Sequence, residues 1–302
     1  MRGPRLPGAG PPLPDSLGGH LELAFIGLLW GSSSFLIRLI DQTPQFITLG
    51  RFAFGALAVT VWGLASRQRN WSLGPRPWLL AGFAVWMTVT TAAFSAAVKY
   101  TSIANAVLIC FSAPVLVPFL GRLILREPVR PRAVLAVVMA VAGIAVMLAP
   151  DLSALDRRAL VGVGYAIVSA GGTAGAAIGV RLVRRHTPAF NTGLHRMIVA
   201  CLVLLPFSLT TSPLRIDGQS LALLALLGVV HTGLAMTLYA HAMGRVQAQD
   251  AVVYGYLEPL GSVLLAALFL GETLRAHVVA GGVLILVAGY LISRSAATRH
   301  AP

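Results

Sequence analysis

The sequence predicts an all-α membrane protein with ten transmembrane helices, arranged as two inverted repeats of five helices each. Three observations support this fold class. The chain has 302 residues, of which 57% are hydrophobic and 11% charged, so a soluble fold would lack a polar surface. Its apolar residues lie in stretches of about 20, the length that a bilayer-spanning helix needs. An ungapped repeat relates the two halves of the chain.

The apolar stretches are separated by short loops and lack the alternating pattern of β-strands. Because only helices and closed barrels satisfy the backbone in lipid, each stretch is predicted to be a transmembrane helix. A count of nine or eleven would require one segment to be misassigned. The ten predicted spans are 21–40, 47–66, 76–97, 103–123, 132–149, 160–182, 193–211, 219–242, 249–270 and 276–293.

The repeat is clearest around two proline–glutamate pairs. Pro114 and Glu127 recur as Pro259 and Glu272, with every position shifted by 145 residues and no gap. Since five spans are an odd number, the second copy must cross the membrane in the opposite direction to the first. Inverted repeats of this kind are typical of secondary transporters.

These features predict four regions along the chain. The Pro- and Gly-rich residues 1–19 are expected to form a disordered cytoplasmic tail. Residues 20–150 form the first repeat with spans one to five, and residues 151–293 form the second with spans six to ten. Residues 294–302 form a short cytoplasmic tail.

The basic residues predict the orientation of the chain. The net charge of +13 comes from arginines in short loops, not on one polar face, so we expect no nucleic-acid partner. With a cytoplasmic N-terminus, fourteen Lys and Arg residues lie on the inner side and five on the outer side. This bias predicts both termini inside, in the plasma or inner membrane of the cell.

Four segments are similar, in sequence and in order, to segments of one known family. They are GLLWGSSSFLIRLI at 27–40, Pro44 followed by Arg51-Phe52, residues 96–127, and their counterpart at 241–274. Together they resemble the ten-helix EamA-type branch of the drug/metabolite transporter superfamily. The resemblance covers about residues 20–293.

The resemblance implies an exporter of small metabolites, such as amino acids or related compounds, or of drugs. It implies alternating access around a central cavity between the halves, which we expect helices one, two, four, six, seven and nine to line. The four-helix multidrug branch carries a carboxylate in its first helix, where this chain has Trp30 to Ser34; Glu22 lies at the helix end instead. Protons are the candidate coupling ion.

Two arginines are predicted to contact substrate. Arg51 and Arg196 fall early in the second helix of each half. A charge at membrane depth costs about 2.5–3.5 kcal/mol, and a guanidinium can hold a carboxylate or phosphate through two hydrogen bonds. The alternative for Arg51 is that it reaches the membrane surface or pairs with Glu22 or Asp41.

Glu258 is the predicted proton-coupling residue. It directly precedes Pro259 in the ninth span, where the proline frees a backbone carbonyl and opens a kink toward the bundle interior. The alternative is a permanent ion pair with an arginine. Glu127 and Glu272 end their spans, and we expect each to cap the helix that follows.

The other predicted substrate-binding residues are aromatic or polar side chains inside spans: Trp30, Ser33, Asn105, His231 and Tyr254. Small residues beside Trp30 let backbones approach and leave hydroxyl groups facing a cavity. Tyr254 lies four residues before Glu258, so one helix face would hold both. His231 lies in the middle of the eighth span and can bind or release a proton.

No motif for catalysis accompanies these residues. The sequence contains no phosphate-binding loop, HExxH motif or nucleophile elbow, so we expect no enzyme activity, catalytic residue, metal or cofactor. The expected partners are a small-molecule substrate and the lipid bilayer, with the chain acting as a monomer or homodimer. The alternative function is an intramembrane enzyme or a lipid-handling scaffold without vectorial transport.

Overall fold

A computed structural model describes residues 17–68, 70–125, 131–148, 156–184, 186–211, 216–242 and 254–297. Every regular element in these residues is a helix. A π-helical turn, Val229–Leu234, joins α9 to α10. The α-helices are α1 (Leu17–Leu39), α2 (Pro44–Ala65), α3 (Pro77–Tyr100), α4 (Ile103–Cys110), α5 (Ala113–Leu125), α6 (Pro131–Leu148), α7 (Arg157–Arg184), α8 (Ala189–Thr211), α9 (Gly218–Gly228), α10 (Ala235–Ala242), α11 (Leu257–Leu270) and α12 (Ala276–Ala297).

Six helical segments in the described residues are long and apolar enough to cross a membrane: Leu17–Leu39, Pro44–Ala65, Pro77–Tyr100, Ile103–Ile124, Arg157–Val180 and Phe190–Thr211. They correspond to predicted spans one to four, six and seven. Shorter apolar helices occupy the positions of the other four spans: Ala133–Leu148, Gly218–Leu234, Leu257–Leu270 and Ala276–Leu291. The all-helical fold class is confirmed, and the number of ten crossings stays a prediction.

Local sequence explains where several helices begin. Thr43 accepts a hydrogen bond from the backbone N–H of Phe46, and Pro44 supplies a first helical residue that needs no N–H partner. Ser102 caps α4 and Asp217 caps α9 in the same way, each through its side-chain oxygen. Helix α1 begins at Leu17, slightly before the predicted end of the N-terminal tail.

Among the described residues, an interrupted helix occurs in each half of the chain, at repeat-related positions. The fourth predicted span breaks at Phe111 and Ser112, between α4 and α5, and the ninth breaks at Tyr256, directly before α11. Phe111 and Tyr256 are themselves 145 residues apart, and their rings contact each other at 6.4 Å between centroids. The predicted kink in the ninth span therefore lies just before the proline and has a counterpart in the fourth.

The two repeat-related prolines follow these breaks. Pro114 lies in the first turn of α5 and Pro259 in the first turn of α11. In a first turn the missing N–H has no intrahelical acceptor, so proline costs little there. The breaks therefore turn one long predicted helix in each half into segments whose N-termini lie inside the protein.

Helices of the two halves pack against each other in reciprocal pairs. Helix α1 packs on α11, and its counterpart α7 packs on α4 and α5. Helices α2 and α8, which are counterparts, pack on each other, as do α6 and α12. This exchange of partners is what a two-fold relation between halves produces, and it leaves an interior space bordered by both.

Small residues allow the closest helix contacts. A Cβ atom added at Gly31 in α1 would lie 3.1 Å from the Cα atom of Gly261 in α11. The glycine-rich face at 171–175 packs α7 on α3, because a Cβ at Gly175 would lie 2.7 Å from the Trp86 ring. The small residues of this segment therefore let α7 approach α3 closely. Large apolar side chains such as Leu123 and Leu268 face outward, 78% and 73% exposed, as expected for a surface against lipid.

Candidate functional site

A cavity of about 430 Å³ lies between the two halves, within the size range of small-molecule sites. Both helix breaks reach it, through Phe111 on one side and Glu258 on the other. Its walls are mainly apolar and carry a few charged and polar groups. The lining residues are Trp30, Ser33, Arg51, Phe52, Met87, Thr90, Thr91, Phe94, Cys110, Phe111, Ala113, Pro114, Ser169, Thr173, Arg196, His231, Thr232, Met236 and Glu258.

The structure brings six of the eight predicted site residues together in this cavity. They are Trp30, Ser33, Arg51, Arg196, His231 and Glu258. They come from five separate segments of the chain, so their meeting depends on how the halves pack. That they contact substrate stays a prediction.

Two predicted site residues lie elsewhere. Asn105 borders a second pocket beside Glu272, near the first turn of α4. The Tyr254 hydroxyl lies 3.2 Å from Nδ1 of His20 in α1. The turn at Tyr256 explains the second case, because it breaks the helical spacing that would have put Tyr254 and Glu258 on one face.

Arg51 is held inside the protein by a neighbouring hydroxyl. Its Nε donates a hydrogen bond to Oγ1 of Thr232 at 2.8 Å. Among the residues that the structure describes, no carboxylate forms an ion pair with it, so the predicted alternative of pairing with Glu22 or Asp41 is not what the structure shows. Arg51 lines the cavity and does not reach outward to the membrane surface.

Arg196 has fewer polar contacts than Arg51. Its terminal nitrogen lies 3.3 Å from the sulfur of Met236, and its guanidinium lies 5.7 Å from the centroid of the Phe52 ring. The Nε atom is buried and has no hydrogen-bond acceptor within the described part of the chain. The positive charges of Arg51 and Arg196 also repel each other.

Glu258 faces the cavity from the first turn of α11. A carboxylate there is favoured by the positive end of the helix dipole. Its charge interacts with that of Arg51 through space, yet the two form no direct ion pair within 4.0 Å. The permanent ion pair left open by the sequence is therefore absent from the described contacts.

A π-helical turn positions His231 and Thr232. Its i−5 spacing aims both side chains back at carbonyls, with Thr232 Oγ1 donating to Leu227 at 3.0 Å. The backbone carbonyl of His231 accepts a hydrogen bond from Nε1 of Trp30 at 3.1 Å. The imidazole Nε2 of His231 lies 2.8 Å from the Ser32 hydroxyl. Such π turns often occur at functional sites, because they re-aim side chains. Here the turn ties the eighth predicted span to α1.

Helix α3 was missed as a wall of the cavity. It contributes Met87, Thr90, Thr91 and Phe94, although the sequence predicted walls from helices one, two, four, six, seven and nine. The eighth predicted span also contributes, through the π turn and Met236. Threonines and aromatic residues are common in apolar spans, so nothing in the sequence marked these residues. The Thr90 hydroxyl, for example, donates to the backbone carbonyl of Trp86 in the same helix.

Glu272 caps a helix, but a different helix from the one predicted. Both of its carboxylate oxygens lie 3.0 Å from the backbone N–H of Ile103 in α4, and not at the start of α12. One oxygen also lies 3.6 Å from Arg38, which donates to the carbonyl of Thr101. We call Arg38, Thr101, Ile103 and Glu272 the Arg38–Glu272 cluster. Glu127 lies outside the described residues.

Thr232→Val is expected to destabilise the folded protein by about 1–3 kcal/mol. The change keeps the shape of the side chain but removes the hydroxyl that accepts from Arg51 Nε, and no other described residue supplies an acceptor for this buried charged donor. Thermal unfolding of the purified protein in detergent measures the effect. Thr210→Val is the matched control, since the exposed Thr210 hydroxyl bonds only to its own helix backbone. Equal unfolding temperatures for the two variants would contradict the expectation.

Known proteins are similar to this chain in sequence and in fold. Two proteins of Archaeoglobus fulgidus, each named an uncharacterized transporter, are 28% and 26% identical to this chain over 278 and 281 residues. Each alignment covers 91% of this chain and 96% of the relative. A solved structure, described only as the crystal structure of a protein, shares the fold with a TM-score of 0.66 at 20% identity, covering 94% of this chain and 98% of its own.

The family assignment comes from a sequence model that matches the chain twice. The model of the EamA-like transporter family matches residues 18–149 and again residues 160–294, so it covers most of both halves. Among the described residues, no group of three or more His, Cys, Asp or Glu side chains is arranged to hold a metal ion. The family and the names of the relatives point to a transporter and not to an enzyme. With its apolar helices and the cavity between its halves, the chain is a multi-pass membrane protein that belongs to the EamA-like transporter family.

Proposed function

We propose that the protein is a secondary transporter that exports small metabolites, such as amino acids or related compounds, or drugs by alternating access. The observation that carries the proposal is the cavity between the two halves, into which Arg51, Arg196 and Glu258 face. Each of these charges costs about 2.5–3.5 kcal/mol at membrane depth, and charges that face a cavity there typically mark substrate or ion pathways. A substrate held between two packed halves can be exposed to either side as the halves rock.

Glu258 is the proposed site of proton coupling. Its carboxylate faces the cavity and makes no hydrogen bond or ion pair with the other described residues. Such a carboxylate can take up a proton from one side of the membrane and release it to the other. The interrupted helix supports this role, because the break at Tyr256 places Glu258 at a helix end inside the protein.

Transport by the purified protein in proteoliposomes tests the function. A pH gradient is imposed, and labelled amino acids and a set of cationic dyes are screened for movement. Gradient-driven movement by the wild-type protein, lost in Glu258→Gln, is the expected result. The amide has the shape of the carboxylate but cannot carry a proton, and Glu258 has no hydrogen-bond partner in the described residues that the change would disturb.

Asp156→Asn is the matched control. Asp156 caps α7 at an exposed position, where its carboxylate accepts from the N–H of Ala159 at 2.7 Å. Asparagine caps helices about as well, so transport should be unchanged. Movement that responds neither to the gradient nor to Glu258→Gln would replace proton coupling by facilitated exchange. If no compound moves, the proposal of export fails for these substrate classes.

A further inference from the structure

We infer that the central cavity binds an organic anion, whose carboxylate or phosphate group is held by Arg196 with Arg51 beside it. The inference rests on the proposed transport function and names its substrate class. Among the described residues, the charged groups that line the cavity are two guanidinium groups and one carboxylate, from Arg51, Arg196 and Glu258. With all three ionised the cavity carries an excess positive charge, and a ligand with one negative charge would balance it.

Arg196 is the cavity arginine whose Nε lacks a hydrogen-bond acceptor among the described residues. Arg51 has the Thr232 hydroxyl and the nearby charge of Glu258, whereas the contacts of Arg196 within the described part of the chain are a sulfur atom and the face of Phe52. Its buried Nε has no acceptor in the described residues. A buried donor without an acceptor costs free energy, and a charged one costs more than a neutral one. An oxyanion in the cavity would supply this acceptor.

The geometry of a guanidinium favours an oxyanion in particular. Its N–H groups form a planar fork that matches the two oxygens of a carboxylate or phosphate. The repulsion between Arg51 and Arg196 would also be relieved by a negative charge placed near both. A cationic ligand would face the opposite situation, since it would add a third positive charge and find only Glu258.

The two helix breaks add to the same electrostatic preference. Ala113 and Pro114 at the start of α5 line the cavity, as does Glu258 at the start of α11. The N-terminal end of a helix is its positive end, and half-helices that begin inside a transporter often point this end at anionic groups. The remaining walls, including Phe94, Phe111 and Met236, can pack against an apolar body of the ligand.

Binding of four matched compounds to the purified wild-type protein in detergent tests the inference. Phenylacetate, phenyl phosphate, phenylacetamide and phenethylamine share an aromatic ring and differ in the charge of the attached group. Each ligand's affinity follows from the rise in unfolding temperature with its concentration. We expect phenylacetate, phenyl phosphate or both to stabilise the protein, and the neutral amide and the amine to have little effect. The two anions separate a carboxylate site from a phosphate site.

Substitutions at Arg196 and at Glu258, with opposite expected signs, sharpen the test. Arg196→Gln should lower the affinity for the anion by at least about thirtyfold, because a buried charge pair loses one partner. Arg196→Lys should fall between, since it keeps the charge and loses the fork. Glu258→Gln should raise the affinity by about fivefold, because it removes a like charge from the cavity. Arg158→Gln is the control, as Arg158 lies over the ring of Tyr100 outside the cavity.

Three results would overturn the anion site. They are equal or better binding of the amine or the amide, an anion affinity that Arg196→Gln and Arg196→Lys both leave unchanged, and no binding of any of the four compounds. If phenethylamine bound and Glu258→Gln abolished its binding, the cavity would be a cation site instead. Because these measurements use no membrane, they are independent of the flux assay. Flux in proteoliposomes combined with failure here would keep the transport function and remove only the anionic substrate class.

Discussion

Glu272→Ala is expected to open the cavity to the side of the protein on which α4 begins. The Glu272 carboxylate joins the end of the ninth predicted span to Arg38 of α1 and to the backbone N–H of Ile103. Its loss leaves that N–H without its cap and Arg38 without its counter-charge. Together these losses weaken the closed arrangement by about 1–3 kcal/mol. The ion pair contributes little to this sum, because the side chains of Arg38 and Glu272 are 28% and 16% exposed. A change of this size shifts a two-state equilibrium by about fivefold to a hundredfold.

The rate at which Cys110 is labelled measures this opening. Cys110 lines the cavity, so a membrane-impermeant maleimide added from the α4 side reaches it only when that side is open. The second cysteine is removed by Cys201→Ala in all samples. We expect labelling to be about ten times faster in Glu272→Ala than in the parent.

Arg158→Gln is the control for this prediction. Arg158 borders a pocket on the same side, together with Arg38 and Lys99, but these described residues show no ion pair between Arg158 and Glu272. Cys110 should be labelled at the same rate in Arg158→Gln as in the parent. If Glu272→Ala left the rate unchanged, the Arg38–Glu272 cluster would serve stability alone and not closure of the cavity.

Gly281→Ala is expected to reduce the yield of folded protein sharply. A Cβ atom at Gly281 in α12 would lie 2.9 Å from the backbone nitrogen of Met147 and closer still to the carbonyl oxygen of Gly143, both in α6. These are backbone atoms, so the two helices would have to separate. Overpacking typically costs about 1–3 kcal/mol, and the added methyl recovers about 1 kcal/mol at most through helix propensity.

Gly164→Ala makes the same chemical change where there is room for it. A Cβ atom at Gly164 in α7 would meet nothing within 4 Å. This control should therefore be as stable as the parent or slightly more stable. Size-exclusion chromatography and thermal unfolding in detergent compare the two variants. Similar behaviour of Gly281→Ala and Gly164→Ala would show that α6 and α12 can separate without loss.

The positions of the helix breaks could be predicted only in part from the sequence. The sequence predicted a kink beside Pro259, because proline constrains the backbone, but no break beside its counterpart Pro114. It did not show that the breaks would fall at Phe111 and Tyr256. That position depends on how the segments pack at the centre of the protein, where these two rings meet. Tyr254 therefore lies beside His20 and outside the lining of the cavity that Glu258 faces.

Sequence analysis found the cavity residues most readily where a side chain is charged, because a charge at membrane depth costs free energy. Arg51, Arg196 and Glu258 stood out because charges at membrane depth are expensive, and all three line the cavity. Threonines of α3 carry no such cost, since each can satisfy its hydroxyl on its own helix. The sequence therefore identified the charged groups of the cavity and missed the helix that completes its wall.

The sequence by itself determined the fold class, the family and the repeat, because these follow from apolar spans, ordered motifs and a constant offset along one chain. Only the tertiary structure decided which residues meet. Glu272 caps α4 and not the helix after it, and Arg51 pairs with Thr232 and not with Glu22 or Asp41. The physical reason is that the cavity and the Arg38–Glu272 cluster are built from helices of both halves, whose contacts depend on packing between segments distant in the chain.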